Sequence, residues 1–276
     1  MLRKIVALAA AGVALAAFQA PAPGSAPPSN LALWRLDCGA FRIKNLDAFS
    51  DTFLYVGQSK RLTDSCYLIR HGENYLLWDT GLPGELVGHP ASDDFADMTL
   101  AVTIRDQLAR IGVRPEQVAL VGISHRHDDH VGQLPDFAKA TLLIGAGDYD
   151  VLKERKSDRI APWAAGRAKV ERLTGDKDVF GDGSVVILAM PGHTENHQSL
   201  LVRLPRTGPV LLTGDLWHFY ENVRNRGVPG FNVNRADTLA SMDRFDRIAK
   251  ALKAKVIIQH EPGDVARLPA FPEAAR

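Results

Sequence analysis

The sequence predicts a mixed α/β (α+β) fold in which two sheets form the core and helices cover their outer faces. Apolar, strand-like runs are numerous, whereas only two segments, Thr99–Ile111 and Ala236–Leu252, show the spacing of an amphipathic helix. Two of the runs flank the turn His71–Asn74 and predict a hairpin. A chain with many predicted strands and few predicted helices favours a core of two sheets with helices on the outer faces. In chain order, the predicted strands are Leu31–Cys38, Cys66–Ile69, Tyr75–Trp78, Leu120–Ile123, Thr141–Gly145, Val185–Ala189, Leu200–Leu204, Val210–Thr213 and Val256–Gln259.

The chain begins with a segment that predicts export. A basic pair precedes the apolar run Ile5–Phe18, which is too short to span a membrane and has no charged stop behind it. We therefore expect residues 1–22 to be a signal peptide and residues 23–30 to be a flexible start of the mature chain. Residues 31–276 would form one domain. The protein would then be periplasmic or secreted from a bacterium, with no stable membrane insertion after cleavage.

The two cysteines lie in early strand-like segments. Cys38 and Cys66 can cross-link neighbouring strands in an oxidising compartment, and they can equally be two buried thiols. Neither has a C-x-x-C partner, so neither is a candidate zinc ligand. The sequence leaves the choice between disulfide and free thiols open.

Both predicted helices have recognisable ends. The first, Thr99–Ile111, is followed by Gly112, and glycine commonly terminates helices. Asn234 or Asp237 would begin the second helix. Between the two helices, Lys153–Arg159 is polar and predicts a loop or an exposed helix.

Composition and charge narrow the class of protein. Of 276 residues, 46% are hydrophobic and 24% are charged, which is typical of a globular domain. The formal net charge is +1, so the sequence carries no electrostatic signal for nucleic-acid binding. We expect a small, roughly neutral substrate and no nucleic-acid partner.

The most informative segment is the hexapeptide His125–His130, which reads H-x-H-x-D-H. Three imidazoles and a carboxylate within so short a segment are ligand types that divalent metal ions prefer. If the backbone is extended, His125 and His127 point to the same side, and Asp129 and His130 can serve a second ion after a turn. The segment therefore predicts a metal site rather than a solvated loop.

Three more ligand-type residues, His193, Asp215 and His260, stand where a strand-like run ends and a loop begins. Rigid scaffolds commonly place reactive groups at such positions. Two divalent ions need about seven ligands. The chain offers His125, His127, Asp129, His130, His193, Asp215 and His260. Asp215 is the expected bridge between the ions, because a carboxylate has two oxygens and a neutral imidazole cannot bridge.

This set of residues resembles the metallo-β-lactamase superfamily. The matching features are H-x-H-x-D-H, a later G-H-T, a later G-D and a final His. The resemblance implies an αββα sandwich with two mixed sheets, flanking helices and a metal site at one edge. It assigns His125, His127 and His193 to one ion and Asp129, His130 and His260 to the other, with Asp215 between them. Asp79, in a D-T-G turn, would orient a ligand rather than bind metal.

A narrower resemblance extends from Ser65 to the end of the chain. Gly192–Leu200 is similar to the G-H-[ST]-P-G-H-Q-S-L segment of N-acyl homoserine lactonases, and Leu211–Asp215 is similar to their next block. The resemblance implies a quorum-quenching hydrolase that opens a lactone ring with a hydroxide bridging two metal ions. A homodimer is common in that family. Those enzymes often carry Tyr three residues after the bridging Asp, where this chain has His218.

We expect three residues to act on the substrate. His218 or Tyr220 would donate a hydrogen bond to the developing oxyanion. Asp129, besides binding metal, would return a proton to the leaving oxygen. Zinc is the expected metal, and iron, manganese or cobalt also suit sites built from His and Asp.

Two further sets of residues near the predicted site leave alternatives open. Trp217, Phe219 and Phe231 either line an apolar pocket for an acyl chain or belong to the core. His197, in the pattern G-H-x-x-x-H, is expected to support the site or pack against it rather than to bind an ion.

Other functions on the same kind of site provide the alternatives. An exported organophosphate or aryl ester hydrolase is the nearest. Asp215 argues against a β-lactamase of the three-histidine type, and His127 argues against diiron redox relatives, which place Glu there. A non-catalytic metal-binding protein would be expected to have lost ligands, and this chain has all of them.

Overall fold

Two mixed β-sheets pack face to face in the computed structural model, which describes residues 30–276. The first sheet contains β1 (Ala32–Ile43), β2 (Lys60–His71), β3 (Asn74–Trp78), β4 (Ala91–Ser92), β5 (Ala96–Thr99), β6 (Val118–Gly122), β7 (Thr141–Gly145) and β8 (Val170–Leu173). The second contains β9 (Lys177–Asp178), β10 (Val185–Ala189), β11 (Gln198–Leu204), β12 (Gly208–Leu212) and β13 (Lys255–Ile257). The predicted leader, residues 1–22, and residues 23–29 lie outside the described part of the chain.

Each sheet combines antiparallel and parallel pairs. The first has the order β4-β5-β1-β2-β3-β6-β7-β8, antiparallel from β4 to β3 and parallel from β3 to β8. The second has the order β13-β12-β11-β10-β9, with β12 and β13 parallel and the other pairs antiparallel. The prediction of two mixed sheets is confirmed.

Helices cover the outer faces of both sheets. Within residues 30–276 they are α1 (Ile104–Arg110), α2 (Asp128–Val131), α3 (Ala146–Glu154), α4 (Ala161–Ala164), α5 (Tyr220–Asn225), α6 (Arg235–Leu252) and α7 (Pro262–Val265). Side chains of α1, α3 and α4 pack on the first sheet, and side chains of α6 pack on the second. None of these helices has the length and apolar character needed to cross a membrane. The helix–sheet–sheet–helix order confirms the predicted fold class.

Alternation of side chains along the strands divides the core into layers. In β2, Tyr67 and Ile69 face the second sheet, whereas Leu68 faces the helices. In β11, Leu200 faces the first sheet and Leu201 faces α6. Complete burial of an aliphatic side chain of this kind contributes about 1.5–3 kcal/mol to stability. The layer between the sheets therefore holds the two halves of the sandwich together.

The carboxyl ends of five strands carry the predicted site to one edge of the sandwich. β3 and β6 run parallel in the first sheet, and β10, β12 and β13 share one direction in the second. The loops after these strands contain Asp79, His125, His193, Asp215 and His260. Residues distant in sequence thus reach the same place.

Some predicted boundaries differ from the structure. The helix predicted over Thr99–Ile111 begins only at Ile104, because the Thr103 side chain caps it by accepting the backbone N–H of Asp106. Lys153–Arg159 contains the end of α3 and part of a short 3-10 turn. The sequence also did not predict β4, β5, β8 and β9, which are short and lie at or near sheet edges.

A disulfide joins Cys38 of β1 to Cys66 of β2. The backbone N–H of Leu82 donates to the Cys38 carbonyl over 3.0 Å, and a Cβ atom added at Gly81 would lie only 2.4 Å from the Cys38 Cβ. The cross-link, with a sequence separation of 28 residues, closes a loop for which about 3–4 kcal/mol of stabilisation is expected. Of the two alternatives that the sequence left open, the structure has the disulfide.

Candidate metal centre

The first group of ligand atoms comes from His125, His127 and His193. His125 Nε2 lies 2.9 Å from His127 Nδ1 and 3.2 Å from His193 Nε2, and the remaining pair is 3.0 Å apart. Zinc–nitrogen bonds of about 2.0–2.1 Å would set neighbouring nitrogens of a tetrahedral site about 3.3 Å apart. The three nitrogens therefore have a spacing that one divalent ion can use.

The second group comes from Asp129, His130 and His260. His130 Nε2 and His260 Nε2 lie 3.8 Å and 3.7 Å from Asp129 Oδ2. Asp129 and His130 belong to α2, which begins directly after the extended residue His127. The side chains of Asp129 and His130 therefore lie at a different position from those of His125 and His127, as the sequence predicts.

Asp215 stands between the two groups and directs one oxygen to each. Its Oδ1 lies 3.3 Å from His130 Nε2 and 3.0 Å from His260 Nε2. Its Oδ2 lies 3.5 Å from His125 Nε2 and 3.4 Å from His193 Nε2. The structure thus brings the seven predicted ligands together, with the predicted bridge in the middle.

Hydrogen bonds behind the ligands determine which imidazole nitrogen faces inward. His193 Nδ1 lies 2.8 Å from Asn232 Oδ1, and His260 Nδ1 lies 2.8 Å from the Thr63 carbonyl oxygen. Both oxygens accept, so Nδ1 of each imidazole carries a proton and Nε2 is the nitrogen left to bind an ion.

Asp79 occupies the supporting position that the D-T-G turn predicts. Its Oδ2 accepts a hydrogen bond from His130 Nδ1 over 3.0 Å, and its Oδ1 accepts the backbone N–H of Ser124 over 2.6 Å. The backbone of Asp79 is left-handed, with φ of 59°, and this conformation places the carboxylate next to His130. Asp79 therefore orients His130 and fixes the start of the histidine-rich loop.

Burial and charge act in opposite directions on the ionisable groups. Burial lowers the pKa of His125 and His193 well below the ordinary value. Burial alone would raise the pKa of Asp215, but the imidazoles of His260 and His130 outweigh it and hold the pKa well below the usual range. Asp215 is therefore a carboxylate, and His125 and His193 are unprotonated, which are the forms that bind metal.

Two of the facing atoms, His130 Nε2 and Asp215 Oδ1, are buried and have no hydrogen-bond partner. Leaving such atoms unpaired costs free energy, and a bound cation would satisfy both. Imidazole nitrogens and carboxylate oxygens are also a suitable donor set for zinc and similar ions. The residues present fit a pair of divalent metal ions.

His197 supports Asp215 from behind. Its Nε2 accepts the backbone N–H of Asp215 over 2.9 Å, and its Nδ1 donates to the Met190 carbonyl over 3.0 Å. Burial lowers the pKa of His197 to about 4, which keeps the imidazole neutral and able to accept. A Cβ atom at Gly214 would lie 2.5 Å from His197 Nε2, so this contact requires the glycine of the G-D pair.

The predicted substrate-contacting residues lie in different surroundings. His218 lines the cavity beside the ligands, with its Nε2 3.1 Å from Asp215 Oδ2. Asp129 also lines this cavity, and its side chain is 23% exposed. The hydroxyl of Tyr220 donates to Asp264 Oδ1 over 2.9 Å, and Tyr220 does not line the cavity. Of the two predicted oxyanion donors, the structure brings only His218 to the ligands.

A largely apolar cavity of about 390 Å³ opens onto the ligands. Its apolar walls are Phe41, Ile43, Phe49, Leu62, Leu82, Phe95, Ala96, Met98 and Phe231. The Phe49 ring packs edge to face against His218 and Phe231, with ring centroids 4.8 Å and 5.4 Å away. Of the three aromatic residues with alternative roles, Phe231 lines the cavity, whereas Trp217 and Phe219 are buried in the core.

Three supporting residues were not predicted. Asp148, at the start of α3, accepts the backbone N–H groups of Arg126 and Asn196 over 3.0 Å and 2.8 Å, and so joins the two loops that hold the first group. Asn232 and Gln259 also contact the site. Asp148 and Gln259 each follow a strand, as the candidate ligands do. Their residue types alone do not indicate that they support a metal site.

Comparison with known proteins decides the family. The family model described as the metallo-beta-lactamase superfamily matches residues 61–260, and this range contains all seven candidate ligands. This chain belongs to the metallo-beta-lactamase superfamily. It is a metal-dependent hydrolase.

The relatives of this superfamily hydrolase include lactonases. N-acyl homoserine lactonase AttM from Agrobacterium fabrum is 31% identical over 266 residues, which cover 81% of this chain and 98% of that protein. This agrees with the resemblance that the Gly192–Leu200 segment carries.

Solved structures share the fold of this superfamily hydrolase. A mutant of AiiA from B. thuringiensis, with N-decanoyl-L-homoserine bound at its active site, has a TM-score of 0.76 at 23% identity and covers 88% of this chain and 98% of its own. AidC, described as a dizinc quorum-quenching lactonase, has a TM-score of 0.61 at 18% identity and covers 89% and 90%. At these identities the likeness establishes the sandwich architecture.

Proposed function

We propose that this hydrolase opens the lactone ring of N-acyl homoserine lactones at a dinuclear metal centre. The observation that carries the proposal is the apolar cavity, which the candidate ligands His127, Asp129, Asp215 and His260 also line. A lactone ring at the ligands would leave its acyl chain in the apolar part of the cavity. The name of the AttM relative and the product bound in the AiiA structure support the same substrate class.

Two divalent ions held by the seven ligands would supply a hydroxide at neutral pH and polarise the substrate carbonyl. The residues of the chain supply the rest of the chemistry. His218 Nε2 donates a hydrogen bond to the substrate carbonyl oxygen as that oxygen gains negative charge. Its N–H is free to do so once the first group of ligands, and not His218, interacts with Asp215 Oδ2. Asp129, partly exposed in the cavity, accepts the proton that the attacking oxygen loses and returns it to the leaving oxygen, which stays tethered because the substrate is a ring.

The walls of the cavity favour substrates with an apolar acyl chain. Phe49, Phe95, Met98 and Phe231 offer aromatic and aliphatic surface. Each methylene that such surface removes from water contributes about 0.8 kcal/mol to binding. We therefore expect kcat/KM to rise with acyl-chain length until the chain extends beyond the cavity.

Zinc is the metal that we propose for both positions. Imidazole and carboxylate ligands suit zinc, and the structurally similar AidC is described as a dizinc enzyme. Metal analysis of protein purified without added metal would test this assignment, since iron, manganese and cobalt suit the same ligands.

Export is a further part of the proposal. The basic and apolar pattern of residues 1–22 supports a cleaved leader. The Cys38–Cys66 disulfide supports an oxidising destination, because disulfides persist there and are rare in the cytosol. Mass spectrometry of the protein recovered from the periplasm or medium would test both points, and an intact leader in a cytosolic fraction would contradict them.

The decisive experiment is ring opening of N-decanoyl-homoserine lactone by the zinc-loaded mature protein. Ring opening forms a carboxylic acid, so it can be followed by proton release and by mass spectrometry of the product. We expect turnover that a chelator abolishes and that added zinc restores. N-butanoyl-homoserine lactone is the matched substrate, and we expect the longer chain to be hydrolysed with the higher kcat/KM.

Protein that holds two ions per chain and leaves both lactones intact would contradict the proposal while keeping the metal centre. A phosphotriester and an aryl ester are then the substrates to compare, because an exported organophosphate or aryl ester hydrolase is the alternative on this site. Turnover of either one, with intact lactones, would assign that activity instead.

A further inference from the structure

We propose that Gln259 is a positioning residue that couples the bridging carboxylate of Asp215 to the second group of ligands. Gln259 is completely buried and directly precedes the ligand His260. Its side-chain amide makes three hydrogen bonds, and two of them connect it to residues that hold metal ligands. The proposal rests on the dinuclear centre of the proposed function and not on the lactone substrate.

The donor side of the amide supports the His130 ligand. Gln259 Nε2 donates to Asp79 Oδ2 over 2.9 Å, and the same oxygen accepts from His130 Nδ1 over 3.0 Å. Gln259 Nε2 also donates to the Ser65 carbonyl over 3.1 Å. The amide thus stabilises the negative charge of Asp79 and ties this carboxylate to β2, which fixes the direction of the His130 imidazole.

The acceptor side of the amide supports the bridge. Gln259 Oε1 accepts the backbone N–H of Gly214 over 3.0 Å, and Asp215 follows immediately. His197 holds the next backbone N–H, that of Asp215, over 2.9 Å. Two side chains therefore fix two consecutive peptide groups, and this sets the direction in which the Asp215 side chain leaves the backbone.

Only an amide of this length can do both tasks with one side chain. The donor must face the carboxylate of Asp79, while the acceptor must face the N–H of Gly214. Ser65 Oγ lies 2.8 Å from the Gln259 carbonyl oxygen and donates to it, so the backbone of Gln259 is held as well. Because Asp79 follows a strand of the first sheet and Gly214 follows a strand of the second, Gln259 links the two sheets at the metal centre.

The test is metal binding by Gln259→Met, which keeps the approximate volume and removes all three side-chain hydrogen bonds. We expect the affinity for one of the two zinc ions to fall by about 10–100-fold, the usual loss when a group behind a ligand is removed. The affinity for the other ion should stay near the wild-type value. Titration of metal-free protein against a competing chelator measures both affinities, and the visible spectrum of the dicobalt form reports the geometry of each site.

Gln107→Met is the matched control. Gln107 is equally buried, and its amide accepts from the Asp37 N–H over 2.9 Å and donates to the Asp37 carbonyl over 2.7 Å, between α1 and β1. We expect this variant to lose thermal stability and to bind both ions as the wild type does. If Gln259→Met folds and also binds both ions with wild-type affinity, Gln259 has only a structural role and the proposal is wrong.

Gln259→Asn decides the question if Gln259→Met does not fold. This variant keeps a buried amide but shortens the side chain by one methylene, so the amide can reach Asp79 or the N–H of Gly214 but not both. We expect the affinity for one of the two ions to fall relative to the wild type, and wild-type affinity for both ions in folded Gln259→Asn would overturn the proposal.

This experiment separates the inference from the proposed function. Weakened binding of one ion in Gln259→Met supports the positioning role whether or not the wild type hydrolyses lactones. Conversely, active lactonase with unaltered metal binding in both Gln259 variants would retain the function and reject the inference.

Discussion

The two groups of metal ligands are built from similar residues but differ in how tightly they hold protons. In the first group, burial keeps the pKa of His125 and His193 well below the ordinary value. In the second group, burial also acts to lower the pKa of His260, but the carboxylates of Asp215 and Asp129 outweigh it and raise the pKa to about 9. The pKa of His130 is raised for the same reason.

The difference comes from where the carboxylates lie. Asp215 Oδ1 is 3.0–3.3 Å from the imidazoles of the second group, and Asp79 and Asp129 also adjoin that group. The first group consists of imidazoles and shares only the more distant Oδ2 of Asp215. Negative charge attracts protons as well as metal ions, so the second group must release more protons when its ion binds.

The largest expected effect is that of Asp215→Ala, which removes the residue that both groups share. We expect the zinc content to fall from two ions to at most one per chain, and kcat/KM to fall by at least about 10³-fold because a major electrostatic contribution is lost. Metal analysis and a hydrolysis assay measure the two quantities. Asp243→Ala, at an exposed acid that pairs with Arg226 on the protein surface, is the control and should change neither.

Two bound ions with full activity in Asp215→Ala would show that the groups are independent sites. The comparison between them would then describe two neighbouring metal sites rather than one centre.

A smaller effect is expected for His218→Phe, which tests whether this imidazole belongs to the first group. If His218 is a hydrogen-bond donor to the substrate, kcat falls by about 10²–10³-fold and both ions remain. A loss of bound metal would instead make His218 a part of the ligand cluster. Tyr220→Phe is the matched control, because its hydroxyl is bonded to Asp264 away from the cavity, and we expect activity within about twofold of the wild type.

A graded effect, which needs no substitution, is a pH dependence that separates the two groups. His260 and His130 hold protons at neutral pH in the metal-free protein, so acidification should weaken the second ion by about tenfold per pH unit for each proton that the ion displaces. His125 and His193 stay neutral over the same range, and the first ion should change less. Zinc titrations at several values between pH 6 and pH 8 would measure this, and parallel pH dependences of both ions would contradict the comparison.

Much of the site could be predicted because metal ligands are recognisable residue types in recognisable places. His125 and His127 stand two residues apart after an apolar run, and His193, Asp215 and His260 each follow such a run. The structure places those runs in strands whose carboxyl ends meet at one edge. Continuous apolar runs likewise predict the central strands, because those strands are buried on both faces.

The remaining features depend on contacts that the local sequence does not encode. Tyr220 lies five residues after Asp215, yet α5 directs its hydroxyl to Asp264. The strands β4 and β5 are short, and they are held by pairing with each other and, through β5, with β1. Gln259 has an unremarkable residue type, and its role follows from the approach of β3 and β12 in three dimensions. Side chains whose function is to connect distant elements therefore escape prediction from the sequence.

The distribution of the ligands over both sheets has a consequence for the order of events during folding. His260 follows β13, which pairs with β12, so the second group is complete only when β13 has joined the second sheet. The large apolar clusters between and outside the sheets contain none of the ligands. We therefore expect the metal-free protein to fold and to acquire its ions afterwards, unlike a zinc finger, whose folding depends on the ion. The metal that binds would then depend on the ions available around the folded protein. Identical chains that fold in different surroundings would therefore carry different metals and differ as catalysts.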